Sequence, residues 1–155
     1  MVQYPACAHV LANEFSSLKP SALRQVDGLP PERLIMDKQS IELPGAAKYG
    51  PYSAGVQSEG MFWLSGQIAV EFEDVKTQTK GALDKIDSLL EAANLTRGNI
   101  CFAQILLADI NDFAAMNEVY GAWIDSVNIK PARAAFAAAA LPAGALVEIV
   151  VQGTR

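Results

Sequence analysis

The sequence is poor in the residues behind the commonest catalytic and metal-binding chemistries. It has one histidine, His9, and two cysteines, Cys7 and Cys101, that lie far apart. A Ser-His-Asp triad around Ser65 would have to recruit that remote histidine, so we discount one. No cluster of His, Cys or carboxylate residues has metal-ligand spacing, and two distant cysteines predict no disulfide framework. The apolar run Ile100–Leu107 predicts that Cys101 is reduced and buried.

The sequence also lacks long apolar runs and an excess of positive charge. No stretch approaches the ~18 apolar residues of a membrane span, and the first residues lack the basic segment and apolar core of a secretory signal. The sequence has 17 acidic residues and 12 lysines and arginines, and the basic residues are scattered along it rather than aligned. There is no glycine-rich phosphate loop. We therefore expect a cytoplasmic protein that binds neither nucleic acid nor a membrane.

What the sequence does have is enough apolar residues, 51%, for one compact domain that folds without metals or disulfides. Residues 1–34 differ from the rest and are interpreted as an appended N-terminal arm, followed by a main domain at 35–155. The arm carries a short amphipathic helix pattern that Pro20 ends. Its stripe is too apolar to stay in solvent, so we expect the arm to dock on its own subunit or a neighbour. The stripe consists of Val10, Leu11, Phe15 and Leu18.

The periodicity of the main domain predicts strands and two helices. Strand patterns occupy 34–36, 40–43, 61–68 and 100–107, and a hairpin is predicted from 132–140 and 146–152. One helix begins at Val75 behind Asp74 as N-cap and ends at Asn94 and Gly98, and a second begins at Asn111 or Asp112. This order predicts an α+β fold with both helices on one face of a mixed sheet. Within the strand at 61–68, Gly66 marks a bulge or a close approach by another group.

Two charged residues stand out in the C-terminal stretch. Arg133 and Glu148 are its only charges from Pro131 to Thr154. Burying a carboxylate is costly unless the site offers hydrogen bonds, a cation or water. If the predicted hairpin pairs, Arg133 and Glu148 share one face of the sheet, about 13 Å apart at ~3.3 Å per residue. A structural ion pair and a functional pair with ligand and water between the charges both remain open.

Two further residues are weaker candidates when taken alone. Tyr52 follows Gly50 and Pro51 in a loop, where an aromatic side chain is more often a plug for the core than a ligand contact. Asn117 lies on the apolar stripe of the second helix, where its amide needs up to four hydrogen bonds. Bracing between helix and loop is the simpler interpretation of Asn117.

Four segments together resemble the RidA (YjgF) family of reactive intermediate deaminases. They are Gly50-Pro-Tyr-Ser53, Leu64-Ser-Gly-Gln-Ile68, Asn111-Asp-Phe with Asn117-Glu-Val-Tyr120, and Pro131-Ala-Arg133 with Leu146-Val-Glu-Ile149. The resemblance covers roughly residues 34–155, and the last combination is its most specific part.

The resemblance implies a chorismate-mutase-like α+β domain that forms a homotrimer with sites in the clefts between subunits. It implies hydrolysis of short-lived enamines and imines of 2-keto acids, such as 2-aminoacrylate and 2-iminopropanoate, to the keto acid and ammonia, without a cofactor. Arg133 would then hold the substrate carboxylate, and Glu148 would position and deprotonate water. Tyr52 and Asn117 would line the cleft, while Ser65 and Gly66 would form its wall.

Three features depart from the family pattern. Ala135 stands where many members have a cysteine two residues after the arginine, although its backbone can still bind substrate. The segment 71–74, before the first helix, is shorter than the usual loop of the family. The arm at 1–34 is not part of the common pattern. These departures leave open a specialised enzyme for another enamine or imine, or a non-catalytic ligand-binding or interaction trimer. A ribonuclease ranks below these because the chain is acidic and lacks a histidine in the main domain.

Overall fold

The computed structural model describes residues 37–45 and 50–155, and all structural statements concern these residues. The predicted arm at 1–34, its expected docking and the strand pattern at 34–36 lie outside the described residues. Within the described residues, no helix combines the length and apolar character needed to cross a membrane.

Six strands form one mixed sheet in the order β1-β2-β3-β6-β4-β5. Strands β4 and β5 run parallel, and every other neighbouring pair is antiparallel. The sheet and its two helices confirm the α+β class. The strand bounds are β1 Gln39–Ile41, β2 Gly55–Ser58, β3 Met61–Gln67, β4 Ile100–Leu107, β5 Ala132–Ala137 and β6 Val147–Thr154.

Both predicted helices are confirmed, and Asp74 caps the first one as expected. Helix α1 spans Val75–Ala92, and the Asp74 side chain accepts hydrogen bonds from the backbone N–H groups of Lys76 and Thr77. The chain leaves this helix through Asn94, whose positive φ of 56° suits an asparagine. Helix α2 spans Phe113–Ile124 and follows a 3₁₀ turn, so its regular part begins slightly later than the sequence suggested.

The core lies between the helices and one face of the sheet. On β6 the alternate residues Val147, Ile149 and Val151 are fully buried, and their neighbours on β4 point the same way. The helices supply the opposing layer with Leu83, Ile86, Leu89 and Leu90 from α1 and Met116, Tyr120 and Ile124 from α2. Burial of this surface is the main stabilising contribution, and it confirms that both helices cover one face.

A polar cluster joins α2 to α1 at the edge of this core. The Asp87 carboxylate accepts two hydrogen bonds from Arg97, at 2.9 and 2.6 Å, and a third from the indole N–H of Trp123 at 3.0 Å. The guanidinium of Arg97 also lies 4.9 Å from the centre of the Trp123 ring. Because Trp123 belongs to α2 and Asp87 to α1, the cluster fixes the position of the helix that carries Asn117 and Tyr120.

The predicted C-terminal hairpin is wrong. β5 pairs with β4 in parallel, and β6 pairs with β3 and β4. The reason is topological: β4, α2 and β5 form a β-α-β unit, in which a crossover helix makes the two strands parallel and neighbouring. β5 therefore occupies the outer edge, and β6 returns on the other side of β4.

Cys101 is exposed, so its predicted burial is also wrong. The residue lies near the start of β4, where the pairing with β6 shifts register between Ile100 and Phe102. Strand alternation holds from Phe102 onward, but an apolar run cannot reveal an irregularity at its first residues.

A candidate active site in two halves

Glu148 and Gly66 lie in direct contact. Glu148 registers with Leu106 of β4 and therefore points to the sheet face opposite the helices. Its carboxylate covers Gly66 so closely that a Cβ atom added to the glycine would overlap it. The pairing of β3 with β6 shifts register between Leu64 and Gln67, around the same glycine. Both sequence-based expectations for Gly66, a bulge and a close approach, are therefore confirmed.

The Glu148 carboxylate occupies an environment that favours its protonated form. The side chain is half-buried and makes no hydrogen bond or ion pair with any described residue. Burial raises the pKa of Glu148 above its ordinary value. A carboxylate with an elevated pKa and unoccupied acceptor oxygens is suited to take a proton from water.

Ser65 connects this region to the loop that carries Tyr52. Its hydroxyl donates to the Ser53 carbonyl at 2.7 Å, and its backbone N–H donates to the Ala54 carbonyl at 2.9 Å. Tyr52 and Ser65 line one groove of ≈ 590 Å³ together with Trp63. The Ser65 hydroxyl therefore holds the loop in place. We call Tyr52, Ser65, Gly66 and Glu148 the Glu148 half of the site.

Arg133 is held by aromatic rings and leaves its hydrogen-bond donors available. It lies on β5 in register with Ala103 and points to the helix side of the sheet. Its guanidinium carbon lies 4.8 Å from the centre of the Tyr120 ring and 5.8 Å from that of Phe113. The side chain is exposed and forms no hydrogen bond or ion pair within residues 37–45 and 50–155. Such a guanidinium can accept an anionic ligand.

Asn117 and Ala135 lie on the same faces of their elements as the residues of the Arg133 contact. Asn117 is half-buried on α2, four residues after Phe113 and three before Tyr120, so it shares their side of the helix. Ala135 registers with Ile105 and points to the same face as Arg133. We call Asn117, Arg133 and Ala135 the Arg133 half of the site.

The prediction that Arg133 and Glu148 share one face of the sheet is wrong. Arg133 registers with Ala103 and points toward the helices, whereas Glu148 registers with Leu106 and points away from them. Since β4 separates their strands, their backbones are about 10 Å apart across the sheet and about 10 Å apart along it. An ion pair between these two charges within one chain is therefore excluded. In the described ranges, no three His, Cys, Asp or Glu side chains gather as metal ligands would.

Comparison with known proteins places this arrangement in a family. The sequence model of the endoribonuclease L-PSP family, also known as RidA/YjgF, matches residues 44–154. The chain belongs to this family. The goat 2-iminobutanoate/2-iminopropanoate deaminase is 41% identical over 117 residues, covering 69% of this chain and 84% of the goat protein. The human protein of the same name is 40% identical over 117 residues, covering 71% and 82%.

Solved structures of the RidA/YjgF family share the fold. The YjgF gene product of E. coli is 34% identical, with a TM-score of 0.70, covering 76% of this chain and 98% of that one. The structure of E. coli TdcF with bound serine is also 34% identical, with a TM-score of 0.69 and the same coverage. The resemblance inferred from the four sequence segments is therefore confirmed, as is the YjgF-like fold.

Sequence reasoning missed the residues that surround the candidate side chains. The sequence alone predicts no role for Phe113 or Tyr120, although both belong to the segments that carry the resemblance. The available signal was their spacing around Asn117, which puts all three on one side of the helix. Their contact with Arg133 depends on where β5 lies, and the predicted hairpin had placed β5 elsewhere.

Proposed function

We propose that this protein hydrolyses reactive enamines and imines of 2-keto acids, of the 2-aminoacrylate and 2-iminopropanoate type, to the keto acid and ammonia. The observation that carries the proposal is the pair of unsatisfied groups: an arginine with free donors and a half-buried carboxylate with a raised pKa. Relatives about 40% identical that are named 2-iminobutanoate/2-iminopropanoate deaminases support it.

The chemistry needs few groups. Arg133 would hold the planar substrate carboxylate through two parallel N–H donors, a geometry that lysine lacks. Glu148 would take a proton from a bound water as the water oxygen attacks the imine carbon, which is already electrophilic. Return of that proton to the nitrogen would complete the neutral carbinolamine. Glu148 would then take the hydroxyl proton and pass it to the nitrogen, so that the C=O bond forms as the C–N bond breaks and ammonia and the keto acid leave. In this reaction no cofactor is required.

The proposal includes a homotrimer with sites between subunits. Since Arg133 and Glu148 lie on opposite faces of one sheet, one substrate reaches both only if they come from different copies. The sheet face away from the helices also exposes large apolar side chains, with Met61 41%, Trp63 38% and Phe136 44% accessible. Apolar surface of this kind is normally covered by a partner.

We expect multi-angle light scattering on the purified protein to give three times the chain mass of 16.6 kDa. Covering Met61, Trp63 and Phe136 supplies the physical reason, because their burial favours association. A stable monomer at micromolar concentration would contradict the shared site.

Co-expressed variants test the sharing directly. An oligomer made from equal amounts of Arg133→Ala and Glu148→Gln chains should regain about one quarter of wild-type activity, since random assembly restores both groups in that share of the sites. Each variant alone should be nearly inactive. If both groups served one site from the same chain, mixing would restore nothing.

Gly66→Ala should misplace the proposed base without removing it. The added methyl would displace the Glu148 carboxylate, and a misplacement of about 1 Å can slow turnover by roughly 10²-fold. The matched control is Gly121→Ala, because a Cβ at Gly121 meets nothing within 4 Å. Steady-state kinetics of both variants check this expectation, and an unaffected Gly66→Ala enzyme would remove Glu148 from the reaction.

A second candidate function is an enzyme specialised for a bulkier imine. The groove of ≈ 590 Å³ next to Ser65, with Tyr52 and Trp63 in its lining, favours this alternative. The short segment 71–74, between β3 and α1, is fixed at its start, since the Lys85 ammonium pairs with Glu71 at 2.9 Å and donates to the Ile68 carbonyl at 2.8 Å. This short segment would therefore shape the cleft permanently.

One assay tests the proposed function and separates the two candidates. Imines of alanine-sized to aromatic side chains can be generated in place by an amino-acid oxidase, and release of keto acid and ammonia can be followed above the uncatalysed rate. A general deaminase should accelerate hydrolysis of the small imines, whereas a specialised enzyme should prefer one larger class. No acceleration of any imine would reject the proposal.

A further inference from the structure

The side chain of Arg133 is held from one side by two aromatic rings of α2. We propose that Phe113 and Tyr120, here called the aromatic pair, are positioning residues that orient the Arg133 guanidinium for the substrate carboxylate. This inference rests on the proposed function for its catalytic consequence, and on the observed contacts for its structural part. The guanidinium carbon lies 4.8 Å from one ring centre and 5.8 Å from the other.

The need for such positioning follows from the place of Arg133 in the fold. It lies on β5, the last strand of the sheet order, and its side chain is exposed. A long exposed side chain without a hydrogen-bond partner samples many rotamers, and fixing one on ligand binding costs conformational entropy. Contact with an aromatic face restrains the planar guanidinium while its N–H edge stays open.

The aromatic pair can restrain Arg133 because Tyr120 is itself fixed. Tyr120 is 5% exposed, and its ring centre lies 5.6 Å from that of Trp123. Trp123 in turn donates its indole N–H to Asp87 on α1 at 3.0 Å. A continuous set of contacts therefore runs from α1 to the guanidinium. Phe113 is 38% exposed and completes the pair at the start of α2.

The Tyr120 hydroxyl makes it possible to separate the role of the ring from that of the polar group. It is buried and has no hydrogen-bond partner in the described part of the chain. Tyr120→Phe thus keeps the ring and breaks no hydrogen bond seen in this part of the chain, whereas Tyr120→Leu removes the ring. Because Tyr120 also belongs to the core, the more exposed Phe113→Leu provides a second removal with less risk to folding.

The first experiment measures the arginine itself and needs no substrate. In full-length protein labelled with ¹⁵N-arginine, we expect the Arg133 Nε–H signal to be shifted by the ring currents and to relax as a restrained group. Tyr120→Leu and Phe113→Leu should each move this signal toward that of a free arginine side chain, and Tyr120→Phe should leave it unchanged. An Arg133 signal that is the same in wild type and in both leucine variants would overturn the proposal.

The second experiment measures the consequence for the reaction by a double-mutant cycle. Tyr120→Leu and Phe113→Leu should raise KM for the imine about tenfold with a smaller change in kcat, and Tyr120→Phe should stay within about twofold of wild type. In an Arg133→Ala background the leucine substitutions should have no further effect, because they act through the arginine. Additive effects in that background would show a merely structural role and overturn the proposal.

The two experiments separate the failure of this inference from failure of the proposed function. If the wild-type protein hydrolyses no imine, but the leucine variants still move the Arg133 signal toward that of a free side chain, the proposed deaminase function fails. The positioning of Arg133 by the aromatic pair then stands. If the wild type is active and the leucine variants leave both the Arg133 signal and KM unchanged, the positioning fails and the function stands.

Discussion

The Arg133→Lys variant is expected to lose about 30-fold to 1,000-fold in kcat/KM, which corresponds to ~2–4 kcal/mol of transition-state binding. Lysine keeps the positive charge but presents a single ammonium group, so it cannot hold both oxygens of a planar carboxylate. It also loses the stacking on Phe113 and Tyr120. Arg133→Ala should be at least as impaired. The measurement is the rate of keto-acid formation from enzymatically generated imine.

The matched control for this prediction is Arg155→Lys. Arg155 is exposed, and its backbone N–H, which the substitution leaves intact, donates to the Gly60 carbonyl. This variant should keep wild-type kinetics, and melting temperatures should show that both lysine variants remain folded. Near-normal efficiency of Arg133→Lys would mean that Arg133 does not clamp the substrate.

Local patterns in the sequence were sufficient for most elements of the fold. The apolar runs at β3 and β4 and the 3.6-residue periodicity of α1 and α2 are strong because each covers at least seven residues. β2 was missed because Gly55–Ser58 has four residues and little apolar character. Such a short strand is defined by its neighbours, β1 and β3, rather than by its own sequence.

Strand pairing was the step that the sequence could not supply. Two strands joined by a short connection usually form a hairpin, and the predicted pairing of β5 with β6 follows from this tendency. The actual partner of β5 is β4, which precedes it by a whole helix. Nothing in the strand sequences distinguishes these arrangements, since Ala132–Ala137 has small side chains that suit either neighbour.

The error in pairing explains what was right and wrong about the site. Arg133 and Glu148 stood out because charge in an apolar stretch is a local property, and the Gly66 contact followed from a glycine within a strand. Their relative orientation is not local. The predicted shared face required β5 to pair with β6, and these strands do not pair. The observed registers of β5 and β6 with β4 direct the two side chains to opposite faces. For the same reason, the contact of the aromatic pair with Arg133 could not be predicted.

The pH dependence of stability distinguishes a proton-accepting Glu148 from a structural one. Because burial raises its pKa in the folded protein, the folded state binds a proton more tightly than the unfolded chain does. Stability from this group is therefore fully present below the unfolded pKa and is lost as pH rises through the folded pKa. At neutral pH, Glu148→Gln should melt at an equal or higher temperature than wild type. A structural carboxylate held by a partner would give the opposite result.

The Glu148→Gln enzyme is expected to bind substrate normally but to turn over ~10²-fold or more slowly, since glutamine preserves the shape of the side chain and cannot accept the proton from water. In wild type, kcat should fall as pH drops through the Glu148 pKa, which lies above that of an ordinary glutamate. This acidic limb should be absent from the residual activity of the variant. Steady-state kinetics across the acidic range measure both effects.

Glu91→Gln makes the same chemical change at an exposed position on α1 and should leave both kcat and the acidic limb unchanged. A glutamine variant at position 148 with wild-type turnover and a lowered melting temperature would assign Glu148 to structure alone. If turnover falls while the acidic limb persists, a group other than Glu148 accepts the proton from water. The contact with Gly66 would then serve only to place the Glu148 carboxylate beside that group. The proposed base is supported only by the loss of both turnover and pH limb, because a proton acceptor must control both.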